Sequence, residues 1–173
     1  MIKQFSWPYV VSKFELHQQV KEKLLFFIEE DYSGKSVDLE GQDKIVKTDW
    51  YTDRKLMKPY LSYLQPYLTE HMTEVYDALG HDVPKYTDFW YQQYDNKDRH
   101  RWHQHRGCCW ANVYYVELKS KSQITMLRDP FTKEIITPEV EEGDILTFPG
   151  LVWHCSPENE IEERKTVVAF NVF

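Results

Sequence analysis

The sequence predicts an α+β chain that is mainly β, with helices in its first half and antiparallel strands in its second. Apolar residues recur with helical period before residue 80, whereas short aromatic and β-branched runs separated by turn residues follow from residue 84. With 173 residues, 42% hydrophobic and 16% aromatic, the chain can bury one substantial core. We therefore expect one domain over residues 1–173, in which a mainly helical part (1–83) supports a β core (84–173).

Composition argues against several classes of partner. The formal net charge of -7 and the pI of about 5.5 disfavour nucleic acid, because phosphate binding needs a clustered basic surface. No apolar run approaches membrane-spanning length, and the first eight residues lack the apolar stretch of a signal peptide. The three cysteines have neither the spacing of a disulfide framework nor a C-x-x-C metal motif, so we expect a reducing, cytoplasmic compartment.

Two helices are predicted in the first half. Ser12–Glu15 has the pattern of a capping box, and the apolar residues after it recur near helical period until a stop around Asp31–Gly34. The second helix should run from about Arg54 to Leu79, with Gly80 as its C-terminal cap. Pro66 should kink or divide this helix, because proline lacks the backbone N–H that a helix interior needs.

Eight short strands are predicted after Pro84, and an earlier one is possible at Lys44–Trp50. Strands at this spacing are typical of an antiparallel sandwich or barrel, on one sheet of which the helices would pack. The eight runs are Asp88–Tyr94, Arg101–His105, Trp110–Leu118, Gln123–Leu127, Ile135–Val140, Asp144–Phe148, Leu151–Cys155 and Arg164–Val172.

The period of two along a strand predicts which side chains face the interior. Counting from Arg164, every second residue as far as Phe170 should point inward, and the residues between them should face the other way. On the earlier strand, Ala111, Val113 and Tyr115 should share one face. Both sets mix small, apolar and polar groups, as a ligand cavity requires.

Three histidines and an arginine in the last third suggest a catalytic metal site. His103 and His105 are two residues apart, so on a strand they share a face and can bind one ion. His154 can add a ligand from a distant strand, which leaves open the remaining positions that a catalytic ion needs. Arg164, ten residues later, can bind a carboxylate of a small molecule on that ion. His100 is out of phase with His103 and is interpreted as a loop residue or one behind the ligands.

At these positions the sequence resembles the Fe(II)/2-oxoglutarate-dependent oxygenases, particularly the small bacterial and phage relatives of the prolyl hydroxylases. Those proteins combine H-x-D or H-x-E, a distal histidine and an arginine or lysine about ten residues later. The resemblance covers most of residues 88–173, through W-H-Q-H, V-Y-Y-V, G-D-I-L-T-F-P-G-L-V-W-H and R-K-T-V-V-A-F-N-V-F. It implies a double-stranded β-helix (a jelly roll of cupin-like shape) with helices packed on one sheet.

The same resemblance implies an activity. Fe(II), 2-oxoglutarate and O2 would be the cofactor and cosubstrates of a dioxygenase that hydroxylates a C–H bond and releases succinate and carbon dioxide. A prolyl or other peptidyl residue is the substrate that it suggests. The segments that would shape a substrate pocket (35–53, 95–100 and 119–140) carry no motif, so the sequence leaves the primary substrate open.

The resemblance assigns the iron ligands to His103, His105 and His154. His105 falls where most family members have a carboxylate, which removes one negative charge from around the iron. Another register is open: if His105 were the first ligand, Gly107 would fill the carboxylate position, as in halogenases that admit chloride. The match of Trp102-His103 to the small relatives favours His103 as the first ligand.

The resemblance also implies a cosubstrate pocket. Arg164 would pair with the distal carboxylate of 2-oxoglutarate, and Thr166 matches the hydroxyl position beside it. Tyr115 matches a tyrosine that hydrogen-bonds the same carboxylate, and Tyr94 matches another tyrosine of that pocket.

Two other functions are compatible with these residues. The first is a three-histidine, cupin-type dioxygenase without 2-oxoglutarate, and the second is a non-catalytic metal-binding or scaffold jelly roll. The need for Arg164 separates the two enzyme classes, because only a 2-oxoglutarate enzyme would lose cosubstrate turnover in an Arg164→Ala variant. A scaffold would bind no Fe(II) and release no succinate.

Overall fold

The computed structural model describes residues 7–53, 56–81 and 84–173. Its α-helices are α1 (His17–Glu29) and α2 (Pro59–Ala78), and a short 3-10 helix covers Lys121–Gln123. The strands are β1 (Val10–Lys13), β2 (Lys35–Asp38), β3 (Lys44–Thr48), β4 (Tyr86–Tyr94), β5 (His100–His103), β6 (Trp110–Glu117), β7 (Met126–Arg128), β8 (Ile135–Ile136), β9 (Asp144–Pro149), β10 (Trp153–Ser156) and β11 (Lys165–Val172).

The strands form two antiparallel sheets. The larger has the order β1-β9-β6-β11-β4-β3-β2, and the smaller has the order β5-β10-β7-β8. All eight strands predicted after Pro84 are present, with ends shifted by a few residues, and the possible strand at Lys44–Trp50 is β3. The result is a mainly β structure with two helices, consistent with a jelly roll. The first half is less helical than we predicted, because β1, β2 and β3 extend the larger sheet.

Both helices pack on the outer face of the larger sheet. On α1 the buried apolar residues Val20, Leu24 and Ile28 recur every four residues, which places them on one stripe of the helix. These residues join one apolar cluster with sheet residues such as Tyr114 and Val168. From α2 the cluster receives Tyr60, Leu64, Leu68, Met72, Val75 and Tyr76.

The second core lies between the two sheets. Ala111, Val113 and Tyr115 belong to it, so the prediction that they share a face is confirmed. The inward set predicted on β11 is wrong: Val168 and Phe170 pack with the helices, whereas Val167 packs in the second core. The residues of β11 do alternate between two faces, but a period of two does not reveal which face is buried. The prediction took the face of Arg164 as the inner one.

The helix boundaries differ from the sequence pattern at two places. Ser12 does not cap a helix; it lies in β1, pairs with Ile145 and contacts the His71 ring, while α1 begins only at His17. The Phe14 N–H, which a capping hydroxyl of Ser12 could have bonded, donates instead to the Gly143 carbonyl at 3.2 Å. Pro66 lies within α2 without dividing it, on an exposed side where water can bind the carbonyl that proline leaves free.

The end of α2 follows the prediction. Gly80 adopts a φ of +75°, and the His81 N–H bonds the carbonyl of Tyr76, which is the pattern of a glycine C-terminal cap. The predicted start at Arg54 lies outside the described residues. None of the helices in the described ranges combines the length and apolar character needed to cross a bilayer.

A buried carboxylate joins the start of α2 to the larger sheet. Asp49 accepts hydrogen bonds from the Tyr91 N–H at 2.8 Å and the Tyr60 hydroxyl at 2.8 Å, and the Lys58 ammonium lies 2.5 Å from it. Because Asp49 follows β3 directly, this network also fixes the position of the neighbouring Trp50.

We predict that Asp49→Ala lowers the free energy of unfolding by about 3 kcal/mol, because three donors lose a buried charged partner. Urea denaturation measures the change. Asp38→Ala, which removes an exposed carboxylate from β2, should alter stability by less than about 0.5 kcal/mol. Equal effects of the two substitutions would contradict this account of the network.

Candidate metal centre

Three histidines converge in the space between the sheets. The potential ligand atoms of His103, His105 and His154 all lie within 4.8 Å of one another. His103 and His154 are paired across β5 and β10, and their ring centroids are 4.1 Å apart. The His105 ring centroid lies 5.2 Å from that of His103 and 5.1 Å from that of His154. The arrangement can hold a single ion on one side of the cluster.

Backbone carbonyl groups fix the hydrogen positions of two of these rings. The Nδ1 atom of His103 lies 2.8 Å from the Arg101 carbonyl oxygen, and that of His154 lies 3.0 Å from the Val152 carbonyl oxygen. Since a carbonyl can only accept, each Nδ1 carries the hydrogen and each Nε2 keeps a free electron pair. This is the state in which imidazole binds a metal.

The His105 ring is positioned by the side chains of Asn171 and Trp90, whereas the other two rings are positioned by backbone carbonyl groups. Its Nδ1 lies 3.1 Å from the Asn171 amide, and its ring stacks on Trp90 with centroids 5.4 Å apart and an angle of 15° between planes. Its backbone N–H donates to the Gly150 carbonyl at 2.7 Å, which ties the segment after β5 to the turn before β10.

Burial keeps the three imidazoles neutral. Desolvation lowers the pKa of His105 to about 4 and moves the pKa of His103 and of His154 below the ordinary value, with further lowering by the neighbouring histidines for His105 and His154. Within the part of the chain that the structure describes, no carboxylate or cysteine belongs to this cluster. The donor set is therefore three neutral nitrogens, and a bound divalent ion would keep its full charge.

A β-bulge brings His100 beside the cluster, contrary to the sequence interpretation that it is out of phase. His103 pairs with His154, and His100 pairs with Ser156, so two residues of β5 between these pairs lie opposite one residue of β10. The His100 ring stacks on His103 with centroids 4.1 Å apart, and its Nδ1 lies 3.3 Å from the Gln92 amide nitrogen. Sequence spacing alone gives no sign of a bulge.

The cation that faces the interior is Lys165, which the sequence interpretation missed. Its side chain is buried, with 1% of the residue exposed, and its Nζ donates to the Ser156 hydroxyl at 2.8 Å. The same Nζ lies 5.0 Å from the Tyr94 ring centre and 5.8 Å from that of Tyr115. Among the described residues no carboxylate forms an ion pair with Lys165, and burial lowers its pKa to about 7.

Arg164 faces away from the cavity, so its predicted orientation is wrong. Its Nη1 lies 2.6 Å from a Glu29 oxygen and its Nε 3.1 Å from a Glu117 oxygen, in a partly exposed ion-pair cluster. Thr166, also predicted at the pocket, lies on the same side and donates its hydroxyl hydrogen to Glu117. Neighbouring strand residues face opposite sides of a sheet, and of the two adjacent cations Arg164 and Lys165 it is Lys165 that faces inward.

The two predicted tyrosines lie at different depths. Tyr94 lines the cavity, and its hydroxyl forms a hydrogen bond with Ser156, the residue that also binds Lys165. Tyr115 lies behind, in the second core, where its hydroxyl accepts the Thr125 N–H at 3.2 Å. Burial raises the pKa of both hydroxyl groups, to about 12 for Tyr115, so both stay protonated.

Two spaces that share lining residues adjoin the histidines. The inner cavity, between the histidines and Lys165, has about 30 Å³ of free space. An outer groove of about 180 Å³ runs past the other side of the histidines. The residues that line both spaces are Trp90, Gln92, His100, His103 and His105.

No protein-family model matches the sequence, and no curated protein matches it. Solved structures do match. An oxidoreductase of the 2OG-Fe(II) oxygenase family from Burkholderia pseudomallei has a TM-score of 0.76 at 9% identity, covering 95% of this chain and 84% of that one.

Two prolyl hydroxylases are also similar. The enzyme from Trichoplax adhaerens, solved with a peptide of the hypoxia inducible factor oxygen degradation domain, has a TM-score of 0.69 at 14% identity, covering 95% of this chain and 83% of that one. A viral collagen prolyl hydroxylase from Paramecium Bursaria Chlorella virus-1, solved with 2OG, has a TM-score of 0.62 at 12% identity, covering 95% and 94%. The resemblance seen in the sequence is thus confirmed as a likeness of fold.

We predict that the protein binds one divalent ion per chain and that His154→Ala weakens this binding by more than about 100-fold, because one of three ligands is lost. Calorimetric titration with Co(II) measures the stoichiometry and affinity. His71→Ala removes a ring that bonds Ser12 on the far side of the larger sheet and should leave the affinity unchanged. Co(II) binding that survives in His154→Ala would contradict ligation by this cluster.

Proposed function

We propose that the protein is an Fe(II)- and 2-oxoglutarate-dependent dioxygenase that hydroxylates a C–H bond and releases succinate and carbon dioxide. The observation that carries the proposal is the Lys165 ammonium, which is buried on the cavity that the three histidines also line and has no carboxylate partner within residues 7–53, 56–81 and 84–173. Residues 1–173 would act as one catalytic domain, with the helices supporting the β core.

The charges of this cavity match a dianion. Three neutral imidazoles leave a divalent ion uncompensated, and Lys165 adds a positive charge in the same buried space. Burying uncompensated charge is costly, so a ligand with two carboxylates, one for the ion and one for the ammonium, removes both costs. 2-Oxoglutarate has this form. An oxygenase without an oxo acid would leave Lys165 unpartnered, so that alternative is not favoured.

The donor set suits iron. Imidazole nitrogens bind Fe(II), and three of them leave open positions for an oxo acid and oxygen. When bound, the Fe(II) ion would supply the activation of O2 that oxidises both the oxo acid and the substrate C–H bond. His103, His105 and His154 would hold it. No group of the chain needs to act as a general acid or base.

The chain's own residues would orient the cosubstrate. Lys165 would bind the far carboxylate, and Ser156 and Tyr94 would supply hydroxyl groups beside it. An inner space of about 30 Å³ holds only a few water molecules, so side chains must move as the oxo acid enters. His100 is placed to do so, since it lines both spaces and its Gln92 contact is long, at 3.3 Å.

The outer groove would receive the primary substrate. Its walls include the rings of Trp50, Tyr51 and Trp90, and its carboxylate, Asp43, is occupied by the Arg101 side chain and N–H. A volume of about 180 Å³ accommodates an uncharged group of side-chain size. A prolyl or other peptidyl side chain fits this description, and the Trichoplax adhaerens structure holds a peptide.

We predict that Lys165→Met weakens 2-oxoglutarate binding by about 100-fold, the loss expected for one charged hydrogen-bonding partner. Calorimetry with Mn(II) in place of Fe(II), without oxygen turnover, measures the affinity. The same substitution should raise the melting temperature of the ligand-free protein, because it removes a buried unpaired charge.

The matched control is the neighbouring residue. Arg164→Gln removes a guanidinium from the opposite face and should leave 2-oxoglutarate affinity within about twofold, as expected for a partly exposed ion pair. Loss of affinity in Arg164→Gln together with full affinity in Lys165→Met would reverse the assignment. Succinate release from 2-oxoglutarate by the Fe(II)-loaded wild-type protein tests the activity itself.

We also predict that 2-oxoglutarate affinity falls roughly tenfold between pH 7 and pH 8.5. Free Lys165, with its pKa at about 7, loses its proton over this range, whereas the bound carboxylate requires the ammonium form. The pKa of Cys155 is raised to about 11, and the histidines are neutral throughout, so they do not titrate there. Binding should take up close to one proton at pH 8.5, measured as the dependence of the binding enthalpy on buffer. A pH-independent affinity, or a slope that persists in Lys165→Met, would contradict this.

A further inference from the structure

The three histidines differ in what holds Nδ1. His103 and His154 each use the backbone carbonyl two residues before them, at Arg101 and Val152. His105 follows the end of β5, and its Nδ1 faces a side chain of another strand, the amide of Asn171 on β11 at 3.1 Å.

An amide, unlike a carbonyl group, can meet the ring in two ways. If the Asn171 NH2 group donates to Nδ1 of neutral His105, the ring hydrogen lies on Nε2 and that atom cannot bind a metal. If the amide is turned so that its oxygen accepts from Nδ1–H, Nε2 keeps a free electron pair. In the first arrangement, which the atom positions show, the buried Asn171 Oδ1 has no hydrogen-bond partner.

We propose that Asn171 is a positioning residue, which presents its amide oxygen to His105 and thereby selects the ring form that binds the metal. The inference rests on the proposed metal ligation and adds a residue that neither the sequence resemblance nor the histidine cluster assigns. Turning the amide places the oxygen that lacked a partner on a donor. Asn171 is 5% exposed, so water does not readily replace it.

Trp90 completes the support. Its ring stacks on the His105 face at an angle of 15°, which fixes the plane of the imidazole but not the identity of its protonated nitrogen. Asn171 lies on the same face of β11 as Lys165, six residues away. One strand thus carries the cation for the cosubstrate at one end and the support for a metal ligand at the other.

The experiment compares Asn171→Ala, Asn171→Leu and Asn171→Asp by Co(II) titration and by the visible absorption of bound Co(II). The Ala and Leu variants remove the acceptor and should weaken Co(II) binding by about 10- to 100-fold with a changed absorption spectrum. The Asp variant keeps an acceptor oxygen and should bind within a few-fold of wild type.

The control is Asn159→Ala, which removes a buried amide that bonds the Tyr94 carbonyl and no histidine. It should lower the melting temperature without changing Co(II) affinity or spectrum. The proposal is overturned if Asn171→Ala and Asn171→Leu bind Co(II) as wild type does, if Asn171→Asp fails to restore binding, or if Asn159→Ala causes an equal loss. Absence of Co(II) binding in wild type would instead remove the metal site, and with it the proposed function.

Discussion

The Lys165 ammonium lies between two β-sheets with one hydroxyl and two aromatic rings around it and, among the described residues, no carboxylate ion-paired to it. Burial of such a cation opposes folding, which is why its pKa falls to about 7. A chain keeps such a group most readily when a ligand supplies the missing negative charge. The cation thus calls for an anionic ligand in the same cavity that the neighbouring histidines line.

The histidines and the cation occupy one cavity because of strand pairing. β5 and β10 bring His103 opposite His154, and β11 places Lys165 on the inner face of the larger sheet. Because the third member of the cluster is His105 and not a carboxylate, the cluster offers three neutral donors, and an ion bound there would keep its full charge. An imidazole N–H also needs a hydrogen-bond acceptor, and the Asn171 amide oxygen can provide one for His105.

Much of this could be predicted from the sequence. The eight strands after Pro84 and the expectation that His103 and His105 serve one ion follow from alternation and spacing, which are local properties, whereas His154 reaches them through the pairing of β10 with β5. The prediction failed in deciding which of the alternating residues of a strand face the interior. Alternation relates Arg164 to Phe170 but does not say which face of β11 is inside, and the bulge that aligns His100 with His103 depends on pairing with β10. Both are decided by contacts between distant strands, which one sequence does not display.

The most direct test of the account is an anaerobic titration of the protein with Fe(II) and then 2-oxoglutarate, followed by visible absorption. Chelation of the oxo acid by iron held on three histidines should produce a weak charge-transfer band that saturates at one equivalent of 2-oxoglutarate per chain. Folded protein that binds Fe(II) but develops no such band would contradict the central claim that this cavity holds a metal-bound oxo acid.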